Sequence, residues 1–222
     1  MKRYLFKGRD MRQRKTKNIE EKLRDYEKIV VRDPADLKGK WTKRFSRENS
    51  IYLEIGCGKG KFISSLSFFY PERNFVGIEG NQTVALRALD KISKMNLENI
   101  SIVPEFIRSP EDWFAEDEVA GIYLNFSDPW PKERHTKRRL TSKNYLAAYQ
   151  HILKPGGTLE IKTDNNVFFE FTLKTINEMG IEILEMTRDL HKSTLAAKNW
   201  ITEYEENFSG RGLEINYLKA GV

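Results

Sequence analysis

The sequence predicts an α/β fold in which a parallel sheet is covered by helices on both faces. Short apolar runs typical of buried strands alternate with segments whose apolar residues recur at helical spacing. The first of these runs, residues 51–55, enters a glycine-rich loop that opens a helix. With 222 residues, of which 12% are aromatic, the chain is long enough for one domain with a sizeable core.

The elements follow from these patterns in chain order. Residues 19–30 are expected to form a helix that the Asp33-Pro34 pair ends, and residues 37–49 form a polar, basic connector. Strands are expected over residues 51–55, 74–79, 99–103, 120–126, 158–163, 181–186 and 213–218. Helices are expected after residue 60 and over residues 82–95, 109–115, 141–153, 165–179 and 201–208. A turn at residues 155–157 precedes the fifth strand, and residues 188–200 are irregular.

Composition excludes several classes of protein. A single cysteine is incompatible with a disulfide framework or a multi-cysteine zinc site, so no metal is expected. The longest apolar runs fall far short of the ~20 residues that span a bilayer, and the basic N-terminus lacks the apolar run of a secretory signal. We therefore expect a cytoplasmic protein with no membrane partner.

The net charge of +6 is concentrated in two basic segments. Residues 1–18 carry eight bases and one acid, and residues 132–143 carry six bases and one acid. The remainder of the chain is therefore acidic. Clustered bases indicate a polyphosphate partner such as a nucleic acid, although a solvated charged face would give the same pattern. Residues 1–18 show no clear periodicity and are expected to form a basic flexible arm ahead of one domain at 19–222.

The loop after the first strand has the pattern of a ligand-binding turn. It contains Glu54, Gly56, Gly58 and Gly60. Lys61 stands where the dinucleotide fingerprint has its last glycine, and Phe62 stands where a P-loop has its hydroxyl residue. An acid at the start of the loop suits a cationic ligand, and Glu79, which ends the second strand, is placed to accept two ribose hydroxyls. S-adenosylmethionine has both features, while a tight strand–helix turn without a ligand is the alternative.

The loop after the fourth strand, residues 125–139, combines an acid, an aromatic ring and a run of bases. Prolines 129 and 131 stiffen it and hold Asp128 at the ligand edge of the sheet. Trp130 offers a flat face for a base or a cofactor. This arrangement fits methyl transfer to a nucleic-acid base; the alternative is a turn followed by a solvated charge run.

At these motifs the chain resembles the bacterial tRNA (guanine-N7-)-methyltransferases, which are class I S-adenosylmethionine-dependent enzymes. The resemblance covers about residues 45–218. It rests on residues 53–60 (LEIGCGKG), 125–132 (NFSDPWPK), 134–140 (RHTKRRL), 162–165 (KTDN) and 202–208 (TEYEENF), of which the second is the most specific.

The resemblance implies a Rossmann-like fold with a seven-stranded, mostly parallel sheet and a last antiparallel strand. It implies methylation of N7 of the guanosine at position 46 in the tRNA variable loop. The cofactor-binding residues would be Glu54, Gly56, Gly58, Gly60, Glu79, Glu105 and Asp128, with Asp128 also catalytic. The nucleotide would be handled by Lys132, Asp164, Thr202, Glu203, Tyr204 and Glu205. RNA would be held by Arg134, His135, Lys137, Arg138 and Arg139.

One position departs from the family pattern. The family places an aspartate after the third strand to meet the adenine amine, whereas this chain has Phe106 there with Glu105 beside it. Either Glu105 takes over that contact, or backbone and ring packing hold the adenine.

Three alternatives remain beside this interpretation. An enzyme that methylates an exocyclic amine is one, and a catalytically idle RNA-binding protein is another. A nicotinamide-dependent dehydrogenase is disfavoured by the missing last glycine. The sequence leaves monomer and homodimer both open.

Overall fold

A computed structural model describes residues 18–208 and 214–221 of the chain. Its strands are β1 (Ile51–Ile55), β2 (Asn74–Ile78), β3 (Ile100–Val103), β4 (Val119–Asn125), β5 (Leu153–Thr163), β6 (Glu182–Thr187) and β7 (Asn216–Gly221). Its α-helices are α1 (Ile19–Arg24), α2 (Lys61–Phe69), α3 (Gln82–Ser93), α4 (Pro110–Trp113), α5 (Lys143–Ile152), α6 (Asn166–Glu178) and α7 (Glu203–Phe208).

The strands form one sheet in the order β3-β2-β1-β4-β5-β7-β6. Neighbouring strands from β3 to β5 pair in parallel, and β7 runs antiparallel to both β5 and β6. The chain moves outward from β1 to β3 and then returns to place β4 on the other side of β1. The carboxyl ends of β1 and β4 therefore flank the point where strand order reverses, which is where such sheets bind ligands. The predicted seven-stranded, mostly parallel sheet is confirmed.

Apolar side chains cover both faces of the sheet. On one face, Leu23 of α1, Ile63 of α2 and Leu89 of α3 pack into one cluster with Phe75 and Ile102 of the strands. The opposite face is covered by α4, α5 and α6, whose buried residues include Trp113, Tyr149 and Phe169. Successive side chains of each strand therefore point alternately into two apolar cores, as expected for a sheet buried on both sides.

The first helix is shorter than its periodicity predicts, because it ends at Arg24 rather than at residue 30. The backbone of residues 29–31 instead pairs with the free edge of β3. The Val31 N–H donates to the Ile102 carbonyl at 2.9 Å, and the Ile102 N–H donates to the Ile29 carbonyl at 2.9 Å. Hydrogen bonds to the unpaired backbone groups at the edge of the sheet therefore outweigh continuation of the helix.

The connector at 37–49 is not simply a polar linker. Trp41, in a short 3-10 helix at Trp41–Arg44, is fully buried. Its indole Nε1 donates to the Trp113 carbonyl at 2.8 Å, and its ring stacks on Phe114 with centroids 5.0 Å apart. The connector is therefore part of the core on the α4–α6 face.

Other boundaries shift by a few residues. The predicted turn at 155–157 lies within β5, where the register with β4 slips between Val119 and Gly121. The last strand begins at Asn216 rather than at residue 213, and residue 213 lies outside the described residues. The basic arm expected over residues 1–18 lies outside them too, except for Asn18.

Replacing Trp41 by alanine is expected to lower the free energy of unfolding by about 3–5 kcal/mol, since it leaves a large cavity. Trp41→Phe should lower it less, because only the indole hydrogen bond and part of the ring are lost. Denaturant unfolding measures both changes. Phe68→Ala, at an exposed ring on α2, is the control and should change stability by about 0.5 kcal/mol or less. Equal effects at positions 41 and 68 would contradict a core role for the connector.

Candidate active site

Six of the predicted site residues line a cavity at the carboxyl edge of the parallel strands. The cavity has a volume of about 1110 Å³ and is lined by the loops after β1, β2, β3 and β4 and by α5. That volume accommodates a nucleoside-sized ligand with room for a second group. The predicted residues that line it are Gly56, Glu79, Glu105, Asp128, Lys137 and Arg138.

The glycine loop folds back over the end of β2. Gly56, Gly58 and Gly60 have φ values of 84°, 56° and 75°, in the left-handed region that favours glycine. The Gly56 N–H donates to the Ile78 carbonyl at 2.8 Å. Gly60 precedes the first turn of α2, where an added Cβ would lie 3.0 Å from the Ala88 Cβ. Gly56 thus meets the cavity, while Gly58 and Gly60 shape the turn behind it.

Glu54 lies beneath this loop and is almost fully buried. Its Oε1 accepts a hydrogen bond from Asn125 Nδ2 at 2.9 Å, which joins the ends of β1 and β4. Its Oε2 is buried without a hydrogen bond of normal geometry among the described residues. Burial raises the pKa of Glu54 to about 7, against the lowering effects of Asn125 and Lys162. A buried, unsatisfied carboxylate at this edge is suited to a cationic ligand.

Glu79 follows β2 and faces the cavity. Its Oε2 accepts from the Gly58 N–H at 3.0 Å, and its Oε1 accepts from the Asn81 N–H at 2.8 Å. These bonds fix the carboxylate and leave lone pairs for hydroxyl donors. Burial raises the pKa of Glu79, and the nearby Asp128 acts in the same direction.

Phe106 and Glu105 both line the cavity beside Glu79. The Phe106 ring lies against Gly80, where an added Cβ would come within 2.1 Å of the ring. The ring is 68% exposed, so its other side is open to a ligand. Glu105 is exposed as well. Both the Phe106 ring and the Glu105 carboxylate are therefore available to an adenine at this position.

The loop after β4 leaves the sheet with two aromatic residues in the left-handed region. Phe126 has φ 52° and Trp130 has φ 42°. Such backbone is unfavourable for bulky side chains, so surrounding contacts must hold it. The Phe126 N–H donates to the Lys162 carbonyl at 2.8 Å. Between the two strained residues, Asp128 is exposed at the cavity wall.

Arg139 differs from its predicted role in RNA binding, because it is only 6% exposed. Its guanidinium donates to the carbonyls of Pro129 at 2.9 Å and Trp130 at 3.1 Å, and it lies 4.3 Å from the centroid of the Phe171 ring. In this structure Arg139 holds the 125–139 loop from inside. Of the other predicted RNA-binding residues, Arg134, Lys137 and Arg138 are exposed and His135 is half-buried.

The exposed cations sit on a 3-10 helix at Glu133–Arg138 and on the residue before it, Lys132. Lys137 and Arg138 line the cavity, and the Arg138 guanidinium lies 5.1 Å from the centroid of the Trp130 ring. His135 meets the same ring edge-on at 5.7 Å. Lys132 and Arg134 are exposed but do not line the cavity.

Two of the predicted nucleotide-binding residues, Thr202 and Glu205, form a capping box at the start of α7. The Glu205 N–H donates to Thr202 Oγ1 at 3.1 Å, and the Thr202 N–H donates to Glu205 Oε2 at 2.9 Å. Both residues are buried. Burial alone would raise the pKa of Glu205, but the Lys162 ammonium and the hydrogen-bond donors around it lower that pKa below its ordinary value. Neither residue is open to a nucleotide here.

Tyr204 and Asp164, by contrast, meet at the surface. The Tyr204 hydroxyl donates to Asp164 Oδ2 at 2.7 Å, and the Tyr204 ring stacks on Phe126 with centroids 4.4 Å apart. Glu203 pairs with Lys91 of α3 at 2.8 Å. The structure thus brings α7 against the loops after β4 and β5.

Three further residues stand at the site without a predicted role: Asn125, Arg108 and Lys162. Asn125 ends β4 and Lys162 is the last residue but one of β5, and both stand within motifs that the resemblance uses, which is the signal that the sequence offers for them. Arg108 lines the cavity from the loop after β3 and is exposed. Its position on a loop at the ligand edge of the sheet is the signal that the sequence offers for it.

Over residues 18–208 and 214–221, no group of three or more His, Cys, Asp or Glu side chains is arranged to hold a metal ion. Within the same residues, no helix has the length and apolar character needed to cross a membrane. Two residues that line the cavity fit S-adenosylmethionine, since the fixed Glu79 carboxylate matches a ribose and the open face of Phe106 matches an adenine. Glu54 is buried next to Ile55 of the cavity lining, and its Oε2, which has no hydrogen bond of normal geometry within the described residues, suits a cation.

Comparison with known proteins identifies the relatives of this chain. A family model described as a putative methyltransferase matches residues 48–218. A tRNA (guanine-N(7)-)-methyltransferase of Lactococcus lactis subsp. cremoris (strain MG1363) is 42% identical over 211 residues, which are 95% of this chain and 97% of the relative. One of Latilactobacillus sakei subsp. sakei (strain 23K) is 44% identical over 192 residues, covering 86% of this chain and 90% of the relative.

A solved structure described as an antibiotic related methyltransferase is similar in fold. It superposes with a TM-score of 0.61 at 16% identity, covering 85% of this chain and 93% of that chain. At that identity the similarity speaks for the fold alone.

Glu54→Gln is expected to change stability in a pH-dependent way. Folding raises the pKa of Glu54 to about 7, so the folded state binds this proton more tightly than the unfolded state. Wild-type stability therefore falls as pH rises from the unfolded pKa toward about 7, by up to about 3 kcal/mol, and glutamine removes that term. The free energy of unfolding of the variant, measured in urea, should therefore rise relative to that of the wild type between pH 5 and pH 8.

Burying the glutamine amide has a cost that does not depend on pH. That cost cancels when the variant-minus-wild-type stability at pH 5 is subtracted from its value at pH 8. Glu98→Gln, at an exposed glutamate, is the control and should show no such trend. A variant-minus-wild-type difference that is constant with pH would mean that Glu54 ionises near its ordinary value.

Proposed function

The chain belongs to the tRNA (guanine-N(7)-)-methyltransferase family, and we propose that it transfers a methyl group from S-adenosylmethionine to N7 of a guanosine in tRNA, at position 46 of the variable loop. The observation that carries the site assignment is that Glu79, Asp128, Lys137 and Arg138 share one cavity. Carboxylates for a cofactor and a nucleotide thus lie next to cations for phosphate.

Residues 1–18 are a basic arm and residues 19–222 the methyltransferase domain under this proposal. The protein acts in the cytoplasm, as a monomer or a homodimer.

The cofactor is held by the residues around the β1 and β2 ends. Glu54 faces its positive charge, the backbone of Gly56 approaches it, and Glu79 accepts from its ribose hydroxyls. Gly58 and Gly60 keep the turn that makes this approach possible. Phe106 packs on the adenine, and Glu105 stands beside it. When bound, S-adenosylmethionine supplies a methyl group on a positively charged sulfur.

The chain has little proton chemistry to perform. Guanine N7 carries a lone pair and no proton, so no base has to remove one before attack. The residues must instead align two reactants in a site that excludes water. Asp128 stabilises positive charge as it develops on the guanine ring. Asp164 and the adjoining Tyr204 orient the guanine edge, whose ring N–H and amine are donors.

RNA is held without sequence reading by the exposed cations of the 132–138 segment. Lys132, Arg134, His135, Lys137 and Arg138 contact phosphates and sugars. Lys132 and Glu203, to which the family resemblance assigns the nucleotide, contact it as well. Arg139 acts indirectly, since it fixes the loop on which the others lie.

Methylation of an exocyclic amine is the runner-up. Enzymes of that kind commonly use a polar-Pro-Pro-aromatic turn at the end of the fourth strand, whereas this chain has Asp128-Pro129-Trp130-Pro131. The Asp128 carboxylate lacks the paired donor and acceptor of an amide, and this difference disfavours methylation of an exocyclic amine.

The deciding experiment incubates the purified protein with labelled S-adenosylmethionine and unmodified tRNA transcripts, followed by nucleoside mass analysis. We expect 7-methylguanosine that disappears when the guanosine at position 46 is replaced. Methyl on another atom would favour the amine reading. Cofactor binding without transfer would mean that the substrate is wrong, and failure to bind the cofactor would leave an RNA-binding protein.

Asp128→Asn should lower turnover on tRNA by about 100-fold or more, because the charge that faces the developing cation is removed while the shape is kept. Asp112→Asn, at an exposed acid outside the cavity lining, is the matched control and should retain wild-type turnover. Near-normal turnover of the Asp128 variant, with the fold intact by circular dichroism, would refute the assigned role.

Removal of residues 1–18 should weaken tRNA binding and flatten its dependence on salt, because fewer counterions are released when fewer bases meet phosphates. Filter binding across a salt series measures the slope. A variant that keeps the arm but carries glutamine at its eight basic positions separates charge from length. An unchanged slope in both variants would show that the arm takes no part in binding.

A further inference from the structure

Lys162 is a buried lysine with every donor in use. It lies in β5, two residues before Asp164, and its side chain is 6% exposed. Its Nζ donates to Asn199 Oδ1 at 2.5 Å, to the Trp200 carbonyl at 2.7 Å and to Glu205 Oε2 at 3.2 Å. An ammonium has three protons, so these three acceptors satisfy it fully. All three belong to one segment, residues 199–205.

The acceptor carboxylate of Glu205 is equally occupied. Beside Lys162 and the Thr202 N–H, it accepts from Asn199 Nδ2 at 2.8 Å and lies 3.3 Å from His191 Nε2. Its side chain is fully buried. Glu205 therefore serves to hold the start of α7, and the residues of the 202–205 motif that reach the surface are Glu203 and Tyr204.

Lys162 contacts both sides of the Phe126–Tyr204 pair, of which Phe126 lines the cavity. Its backbone carbonyl accepts from the Phe126 N–H at 2.8 Å, at the point where the loop carrying Asp128 leaves β4. Its ammonium holds the segment that carries Tyr204, whose ring stacks on Phe126 and whose hydroxyl reaches Asp164. One residue thus sets the Phe126–Tyr204 contact from both directions.

Stability alone does not explain such a pair. A buried ion pair is commonly no more stabilising than apolar residues of similar volume, although removal of one partner leaves an uncompensated charge. The arrangement does fix the direction in which α7 begins. The three hydrogen bonds of the Lys162 ammonium hold the irregular segment 199–205 in one conformation, whereas non-directional apolar contacts would allow several.

We propose that Lys162 is a positioning residue for methyl transfer, which holds residues 199–205 so that Tyr204 and Asp164 form one wall of the target-nucleotide site. The proposal rests on the proposed function for its catalytic consequence. Lys162 itself touches neither cofactor nor substrate. Its effect is on turnover, through the geometry of the wall, rather than on the affinity for tRNA phosphates.

The test compares Lys162→Met, the double variant Lys162→Met with Glu205→Gln, and Lys219→Met as a matched control. Lys219 projects from β7 and pairs with Glu160 at 3.6 Å, on the face that also carries Lys162. Four quantities are measured: kcat and KM for tRNA, S-adenosylmethionine affinity by calorimetry, thermal stability, and hydrogen exchange of the amides in residues 199–206.

For Lys162→Met we expect kcat to fall by about 10-fold or more, since small misplacements of reacting groups have large effects. The KM for tRNA and the cofactor affinity should stay within about 3-fold of wild type, because the glycine loop, Glu79 and the exposed cations of the 132–138 segment are unchanged. The Thr202 and Glu205 amides should exchange faster, with those of β1 unchanged. Lys219→Met should keep kcat within about 2-fold.

The double variant separates positioning from folding. It removes the uncompensated carboxylate, so thermal stability should recover while kcat stays low. Recovery of kcat together with stability would overturn the proposal, as would unchanged kcat in Lys162→Met or an equal loss in Lys219→Met. Loss of cofactor binding in the double variant would also overturn it, because Lys162 would then serve the fold as a whole.

Failure of the proposed function has a different signature. Wild-type protein that forms no 7-methylguanosine would refute the function, while the hydrogen-exchange comparison would still report whether Lys162 holds residues 199–205. Unchanged exchange in that segment would overturn the positioning role independently of activity.

Discussion

The parallel alignment of β1 with β4 is the constraint on which the site depends. Parallel pairing brings the carboxyl ends of both strands to one edge, and the reversal of strand order between them opens a crevice there. The hydrogen bond from Asn125 to Glu54 joins those two ends directly. Without that alignment, the glycine loop and the 125–139 loop would not face a common cavity, and no arrangement of their side chains would compensate.

Much of the fold could be predicted because its signals are local. The strand at 51–55 matches the observed β1 at both ends, since a continuous apolar run is bounded by a glycine turn. Gly56, Glu79 and Asp128 could be placed at the cavity for a related reason. Gly56 and Glu79 directly follow strands, and Asp128 lies three residues after β4 in a loop stiffened by prolines. The edge of a parallel sheet then determines where they lie. Local pattern failed at residues 25–30, where pairing with a distant strand replaced the helix.

The roles of buried charges could not be predicted from the sequence. Arg139 stands in a run of bases that reads as one solvated surface, yet its guanidinium turns inward to the loop carbonyls and to Phe171. Lys162 and Glu205 are 43 positions apart in the chain, and only the folded arrangement shows that they are partners. Trp41 is a further case, because its polar neighbours conceal a core residue. Whether such a side chain is buried depends on partners that are distant in the sequence, and local composition does not reveal those partners.

The left-handed backbone at Phe126 has a consequence for attempts to stabilise this enzyme. A glycine there would relieve a strain of about 1 kcal/mol or more. It would also remove the ring that packs against Leu190, Ile215 and Tyr217 and on which Tyr204 rests. The packing that is lost offsets the strain that is relieved, so a screen for heat resistance would not select the glycine. Substitutions that raise thermostability are better sought outside the loop that carries Asp128.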